Sequence, residues 1–464
     1  MAAEASPAGS SLTDHAYTGR MPARAGDMAV ETHGIAPIPP DNRYGTARRL
    51  FTVWFAPQVN MTVVFTGTLA VVLGLGFWLG LLAMAVGTVI GSLAVGYLST
   101  WGPRTGTAQL PNARMAFGGT VAVVAVIQWL SSIAWDGLVG LFGGEALAEL
   151  LGIPFWLAVV IVLAAQGAVG VFGYEVIHRV QAVMTVVLIV TFAVFAWKLI
   201  DGHQVMSPPT LAGPDLAGAF VLEVTIALSL AISWASYASD YSRYLPVRTS
   251  RRAVFGYTFA GLAVAYIAVQ AIGVAAAGTL TDQTAAGVRT IMGGGVLGAL
   301  ALLVIALGSV ASNAMNDYSG SLALQTVGVR VRRPVSAVVV VVIAFGLIMW
   351  LHSGDLVARF QGVLLFVSYW IPAFVAIVAI DWRYRSAGRE TVDPTAELTA
   401  RTDGVVALVT FFVAFAAAVP FMHTNLIIGP VATALHGADL AYFVNFLVAA
   451  VVYGGFRLLR ARRS

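Results

Sequence analysis

The chain is expected to be an all-α integral membrane protein of about twelve transmembrane helices, arranged as two inverted five-helix units with interrupted first and sixth helices. Composition is the first support: 59% of the 464 residues are hydrophobic and 10% charged, with a mean hydropathy of +0.84. The apolar runs are about 20 residues long, which suits membrane-crossing helices rather than the short alternating strands of a barrel. The second support is where the cations lie. The third is the pair of polar, broken spans set five helices apart.

Twelve apolar spans are centred near Val63, Val86, Ile127, Val162, Val187, Ser229, Val264, Ile305, Val341, Phe366, Phe412 and Ala449. With the N-terminus inside, the outward connections hold only Lys198, Arg289 and Arg359 of the 26 Lys and Arg residues. One miscounted helix would invert every later connection and destroy this bias, so the termini are placed in the cytoplasm and the chain in the cell inner (plasma) membrane. The formal charge of +4 is then a topology signal, and it requires no nucleic acid or other anionic partner beyond the lipid bilayer. The absence of cysteine excludes disulfides and thiol chemistry.

Residues 1–42 contain no apolar run of signal-peptide length and are expected to be a disordered cytoplasmic arm. The first inverted unit covers residues 43–200. Its first span carries Pro57 among Gln58, Asn60 and Thr62, and a proline that removes a backbone donor there predicts a kink or an unwound segment. The connection from Gly96 to Gly118 is basic and punctuated by Gly and Pro, without a phosphate-cradling pattern. The third span places Gln128, Ser132 and Asp136 at steps of four beside Trp129 and Trp135, joining hydrogen-bonding groups to a flat aromatic surface on one helix. The fourth and fifth spans read as apolar scaffold.

The second unit, with a charged cytoplasmic linker, covers residues 201–403. Four serines around Trp234, from Ser229 to Ser239, weaken a continuous sixth helix. The eighth span carries Ser309, Ser312, Asn313, Asn316 and Gly320 as one polar stripe. An Asp such as Asp317 costs roughly 2.5 to 3.5 kcal/mol at a membrane-helix centre, so this stripe should face a bundle interior or a watery cavity. Pro372 bends the tenth span. Residues 404–464 hold two peripheral spans and a basic cytoplasmic tail. Spans one and six are five apart, as are the polar spans three and eight, and an odd offset inverts one unit relative to the other.

These residues resemble the nucleobase:cation symporter-1 family, of the cytosine and purine permease type. The resemblance rests on Trp54-Phe-Ala with Asn60, Gly102-Pro-Arg-Thr-Gly106 with Arg114 and Phe117-Gly118, Ser132-Ile-Ala-Trp-Asp136, Ser233-Trp234, Asp240-Tyr-Ser-Arg-Tyr244, Asn313 to Tyr318, and Pro372 before Asp381. It implies a LeuT-like fold and an alternating-access symporter importing a nucleobase or related ring amide. Trp135 and Trp234 are then the aromatic walls, with Ser132, Ser233, Asn313, Asn316 and Asp317 near the amide edge, and Gln128 and Asp136 on the same third-span face. The family's cation site maps to Phe55 and Gln58 of the first span and to Gly308, Ala311 and Ser312 of the eighth, the candidate sodium site.

Sodium-coupled members offer two adjacent hydroxyls where this chain has Ala311-Ser312. The coupling ion is thus sodium or a proton, with Asp136 and Asp317 the candidate proton carriers; no cofactor is implied. Allantoin, hydantoin, uracil and vitamin-like rings are the alternatives within the class. Outside it stand an intramembrane enzyme and a passive channel. No paired acidic motif, zinc-protease motif or nucleophile elbow supports enzyme chemistry.

Overall fold

Pro57 and Asn60 together produce the sharpest irregularity in the fold. The first span runs as an α-helix over Arg49–Phe55, tightens to a 3-10 turn at Ala56–Gln58 and restarts at Met61–Val72, with a bend of 60° between its halves. Val59 leaves helical geometry at φ −86°, ψ 73°. The Asn60 side chain caps the second half, its Oδ1 accepting from Val63 N at 3.2 Å and its Nδ2 donating to the Pro57 carbonyl at 2.5 Å. The expected unwound segment is therefore a proline-broken, asparagine-capped joint.

This is a computed structural model that describes residues 34–171, 174–202, 206–280, 284–328, 333–386, 392 and 401–462. Among the described residues nine helices are long and apolar enough to cross a membrane, and the bent first span makes a tenth. The expected fourth and ninth spans are present as shorter apolar helices, Phe155–Val169 and Val338–His352. A count of twelve depends on taking these two as spans.

The packing follows the inverted repeat. Span two (Gly76–Ser99) lies along span six (Gly213–Ile232), and its equivalent pair, span seven (Arg251–Leu280) on span one, is also in extensive contact. Likewise span eight (Gly295–Val327) packs on span four and span three (Val121–Leu151) on span nine, with three against eight the largest contact of all. Small residues permit this closeness. A Cβ on Gly273 would enter the Val64 carbonyl, and one on Gly67 the Gln270 carbonyl.

Several expectations change. Span six is interrupted as expected, its α-helix ending at Ile232 and tightening into a 3-10 turn at Ser233–Tyr237, but it does not bend as span one does. The tenth span breaks at residues 367–370, upstream of Pro372, which sits in the first turn of the second half, Ile371–Arg385, where a missing N–H costs nothing. Span twelve (Ala441–Ala461) is not merely peripheral. Its Asn445 Nδ2 donates to the Tyr369 carbonyl at 2.7 Å and its Tyr442 hydroxyl to the Leu365 carbonyl at 2.9 Å, covering the tenth-span break.

The connection after span two forms two buried helices, Gly102–Thr105 and Gln109–Phe117. From Gly34 onward the arm is also packed: Ile38 is buried and its N–H donates to the Gly106 carbonyl at 2.9 Å. Residues 34–42 thus belong to the fold, while the expected disorder of residues 1–33 lies outside the described residues, as does most of the 387–400 linker.

Candidate functional site

The first-span joint meets span eight at the polar stripe. The Ser312 hydroxyl donates to the Pro57 carbonyl at 3.1 Å. Gly308 faces the same joint: a Cβ there would lie 3.9 Å from the Val59 carbonyl. Phe55, in the last turn before the break, is buried and stacks on Phe51 at 5.3 Å. The Ala311 carbonyl accepts from Gln181 Nε2 at 2.7 Å. An amide from span five therefore enters the polar zone between the elements expected to hold sodium.

Beside this joint lies a narrow cavity lined by Gln58, Asn60, Thr62, Val63, Trp135, Val139, Leu230, Trp234, Tyr266, Ser312 and Asn316. Spans one, three, six, seven and eight all contribute. Trp234 is fixed from both sides: its Nε1 donates to the Tyr266 hydroxyl at 2.8 Å, which donates onward to the Leu230 carbonyl at 3.1 Å. Its ring meets Trp54 edge-on at 5.7 Å and Tyr237 at 5.6 Å. Trp135, by contrast, is partly exposed. Gln58 is 1% exposed, yet its Nε2 has no hydrogen-bond partner among the described residues. A buried amide donor left unmade is costly, and here it borders a cavity.

Five of the sequence-derived residues, Gln58, Trp135, Trp234, Ser312 and Asn316, come together around this space. The others lie behind it. The Ser132 and Ser233 hydroxyls are consumed by their own helices, donating to the Trp129 and Leu230 carbonyls at 2.7 Å each. Asn313 Nδ2 donates to Gln166 Oε1 at 2.8 Å and to the Asp136 carbonyl at 3.1 Å. Asn316 Nδ2 donates back to Asn313 Oδ1 at 3.2 Å, so Asn316 joins the cavity to a second polar layer. That layer contains Asp136, whose carboxyl lies against those of Asp317 and the Asn316 amide, and Gln128, which faces Tyr237 with Ser132.

Gln166, Gln181 and Tyr266 are the functional candidates that span-by-span reading passes over. Each of the first two is the one amide side chain of its helix, and in a membrane such a residue signals a partner on another span. Tyr266 carries no such signal, since an isolated tyrosine in an apolar run reads as packing.

The family model described as permease for cytosine/purines, uracil, thiamine and allantoin matches residues 37–445. The Bacillus subtilis protein YxlA, a purine-cytosine permease by name, is 27% identical over 92% of this chain and 95% of its own length. The purine-cytosine permease fcyB of Emericella nidulans is 25% identical over 92% of this chain and 88% of its own. Among solved structures, the inward-facing form of Mhp1 superposes with a TM-score of 0.73 at 18% identity, covering 94% of this chain and 95% of that one. A closed form of Mhp1, described as a nucleobase-cation-symport-1 transporter with bromovinylhydantoin bound, gives 0.69 at 17% identity over 90% and 93%. At these identities the likeness concerns the fold.

Proposed function

The chain belongs to the family of permeases for cytosine/purines, uracil, thiamine and allantoin, and we propose that it imports a nucleobase or related ring amide, cytosine or a purine first, as a cation-coupled symporter. The observation that carries this reading is the unpartnered Gln58 amide beside a cavity walled by Trp135 and Trp234. A planar base stacks on an indole face and offers ring carbonyls and nitrogens to an amide. Asn316 supplies a second amide on the same wall.

The space is water-sized as it stands, so a base enters only when the rings separate. Rocking of the layer holding spans one, two, six and seven against the one holding spans three, four, eight and nine does this, opening the site to one side at a time. The Lys and Arg asymmetry supports cytoplasmic termini in a plasma membrane. The coupling cation is sodium or a proton. Of the candidate sodium donors, the Ala311 carbonyl accepts from Gln181 and the Ser312 hydroxyl donates to the Pro57 carbonyl, and position 311 offers no second hydroxyl, which favours the proton.

Allantoin, hydantoin, uracil and vitamin-like rings are the competing substrates; a Saccharomyces cerevisiae relative, 24% identical over 76% of this chain, is named a vitamin B6 transporter. Radiolabelled uptake into proteoliposomes with an imposed sodium or proton gradient tests the reading against a panel of these rings. Gradient-dependent accumulation is expected. Uptake of none of them, or uptake that stops at equilibrium, overturns it.

A further inference from the structure

Asp136 of span three and Asp317 of span eight place their carboxyl groups close enough inside the protein to act on each other. Asp136 is 1% exposed. Neither of its oxygens, nor Oδ2 of Asp317, has a hydrogen-bond donor in bonding geometry among the described residues. A carboxylate only accepts, so two ionised groups in contact leave these oxygens without donors and repel each other in a poorly solvated place. Two carboxyls so placed relieve this by sharing a proton.

The surroundings supply no cation to replace that proton. From span six, Tyr237 and, beyond it, Asp240 are the titratable groups felt here. From spans four and eight come the neutral amides Gln166, Asn313 and Asn316, and from span three Gln128 and Ser132. No Lys, Arg or His acts on either carboxyl among the described residues. Two further polar atoms in this layer, Gln128 Oε1 and the Tyr237 hydroxyl, are buried and face each other without a partner in full bonding geometry among the described residues. Asp317 retains partial exposure, which gives the pair a side from which a proton reaches it.

We propose that the Asp136–Asp317 pair is the proton site through which import is coupled, alternating between one shared proton and two. This rests on the reading of the protein as a symporter and names its ion. Asn316 connects the two events, because its side chain lines the cavity and also touches Asp136. A ring amide that draws on the Asn316 amide withdraws it from Asp136, and the carboxyl layer then keeps its second proton. The step is balanced: one proton binds with the substrate on the outer side and one leaves on the inner side, with no covalent change. At the eighth-span cation position, Gln181 Nε2 holds the Ala311 carbonyl that an ion would need.

The test uses the full-length protein in proteoliposomes, with radiolabelled cytosine, adenine, uracil and allantoin. Counterflow exchange is measured without any gradient, and accumulation with an inward proton or sodium gradient. Wild type should accumulate at least one of these rings more than tenfold under the proton gradient, collapse on adding a protonophore and ignore sodium. Asp136→Asn and Asp317→Asn should each bring accumulation down to equilibrium while exchange remains measurable, which also certifies folding.

Proton uptake on substrate addition, followed by a pH indicator in weakly buffered detergent solution, should vanish in both variants. Proton-driven accumulation that survives in both variants overturns the proposal. So does wild-type accumulation driven by sodium alone. Absence of exchange for every ring in wild type would instead count against the symporter reading itself.

Discussion

At the scale of single residues, the site is made of side chains whose partners come from other helices. Trp135 is the aromatic wall free to meet a ring, because Trp234 is already tied to Tyr266 and packed on Trp54. Trp135→Ala should abolish ligand-induced thermal stabilisation while leaving the unliganded melting temperature within a few degrees of wild type. An unchanged ligand response would remove the stacking role. Ser312 makes a more discriminating probe, since its hydroxyl holds the Pro57 carbonyl. Under proton coupling, Ser312→Ala should lower binding and transport together by loosening the joint, with no sodium effect. A selective loss of sodium dependence, measured in gradient-driven uptake, would restore the sodium site.

At the scale of elements, backbone contacts decide which helices move together. Spans one and seven approach so closely at Gly67 and Gly273 that a side chain has no room. Gly273→Leu should prevent assembly, seen as aggregation on size exclusion, whereas Gly256→Ala, where an added Cβ meets nothing within 4 Å, should be neutral. Such tight pairing makes the layer a rigid unit able to rock.

The tenth span is a different device. Its break leaves carbonyls that Ser131, Trp370, Tyr442 and Asn445 satisfy, so spans three and twelve hold it from opposite sides. Asn445→Ala should lower stability by about 1 kcal/mol, the usual net value of such a bond, read as a lower melting temperature. Transport should slow by more than binding weakens if this break moves during the cycle.

At the scale of the whole molecule, the end of the bundle that carries residues 34–44 is drawn shut by a set of long-range ties. Arg243 donates to the Gly34 carbonyl at 2.7 Å and to the Tyr318 hydroxyl at 2.9 Å, and Tyr44 N–H donates to the Tyr244 carbonyl at 2.6 Å. Any opening at that end must break them. The energetics of import are sufficient without tight substrate binding. One positive charge crossing 100 mV releases about 2.3 kcal/mol, enough for about fiftyfold accumulation of a neutral solute. Proteoliposomes clamped near that voltage with a potassium diffusion potential should approach this ratio for one coupled charge. A ratio near one would show that no net charge crosses with the substrate.

Span positions and the inverted repeat were legible in the amino-acid order, because a bilayer makes each crossing helix satisfy its own backbone and display its hydropathy locally. The first-span break was legible for the same reason: Pro57 and Asn60 act on their own helix. The polar stripe of span eight was visible too, but its assignment was not. Spacing cannot tell that Asn313 turns to Gln166, that Gln181 takes the Ala311 carbonyl, or that Ser132 and Ser233 spend their hydroxyls on their own helices. Nor does spacing reveal that Asp136 and Asp317 meet. A hydrogen bond between spans depends on which faces the bundle brings together, and only the tertiary structure decides that.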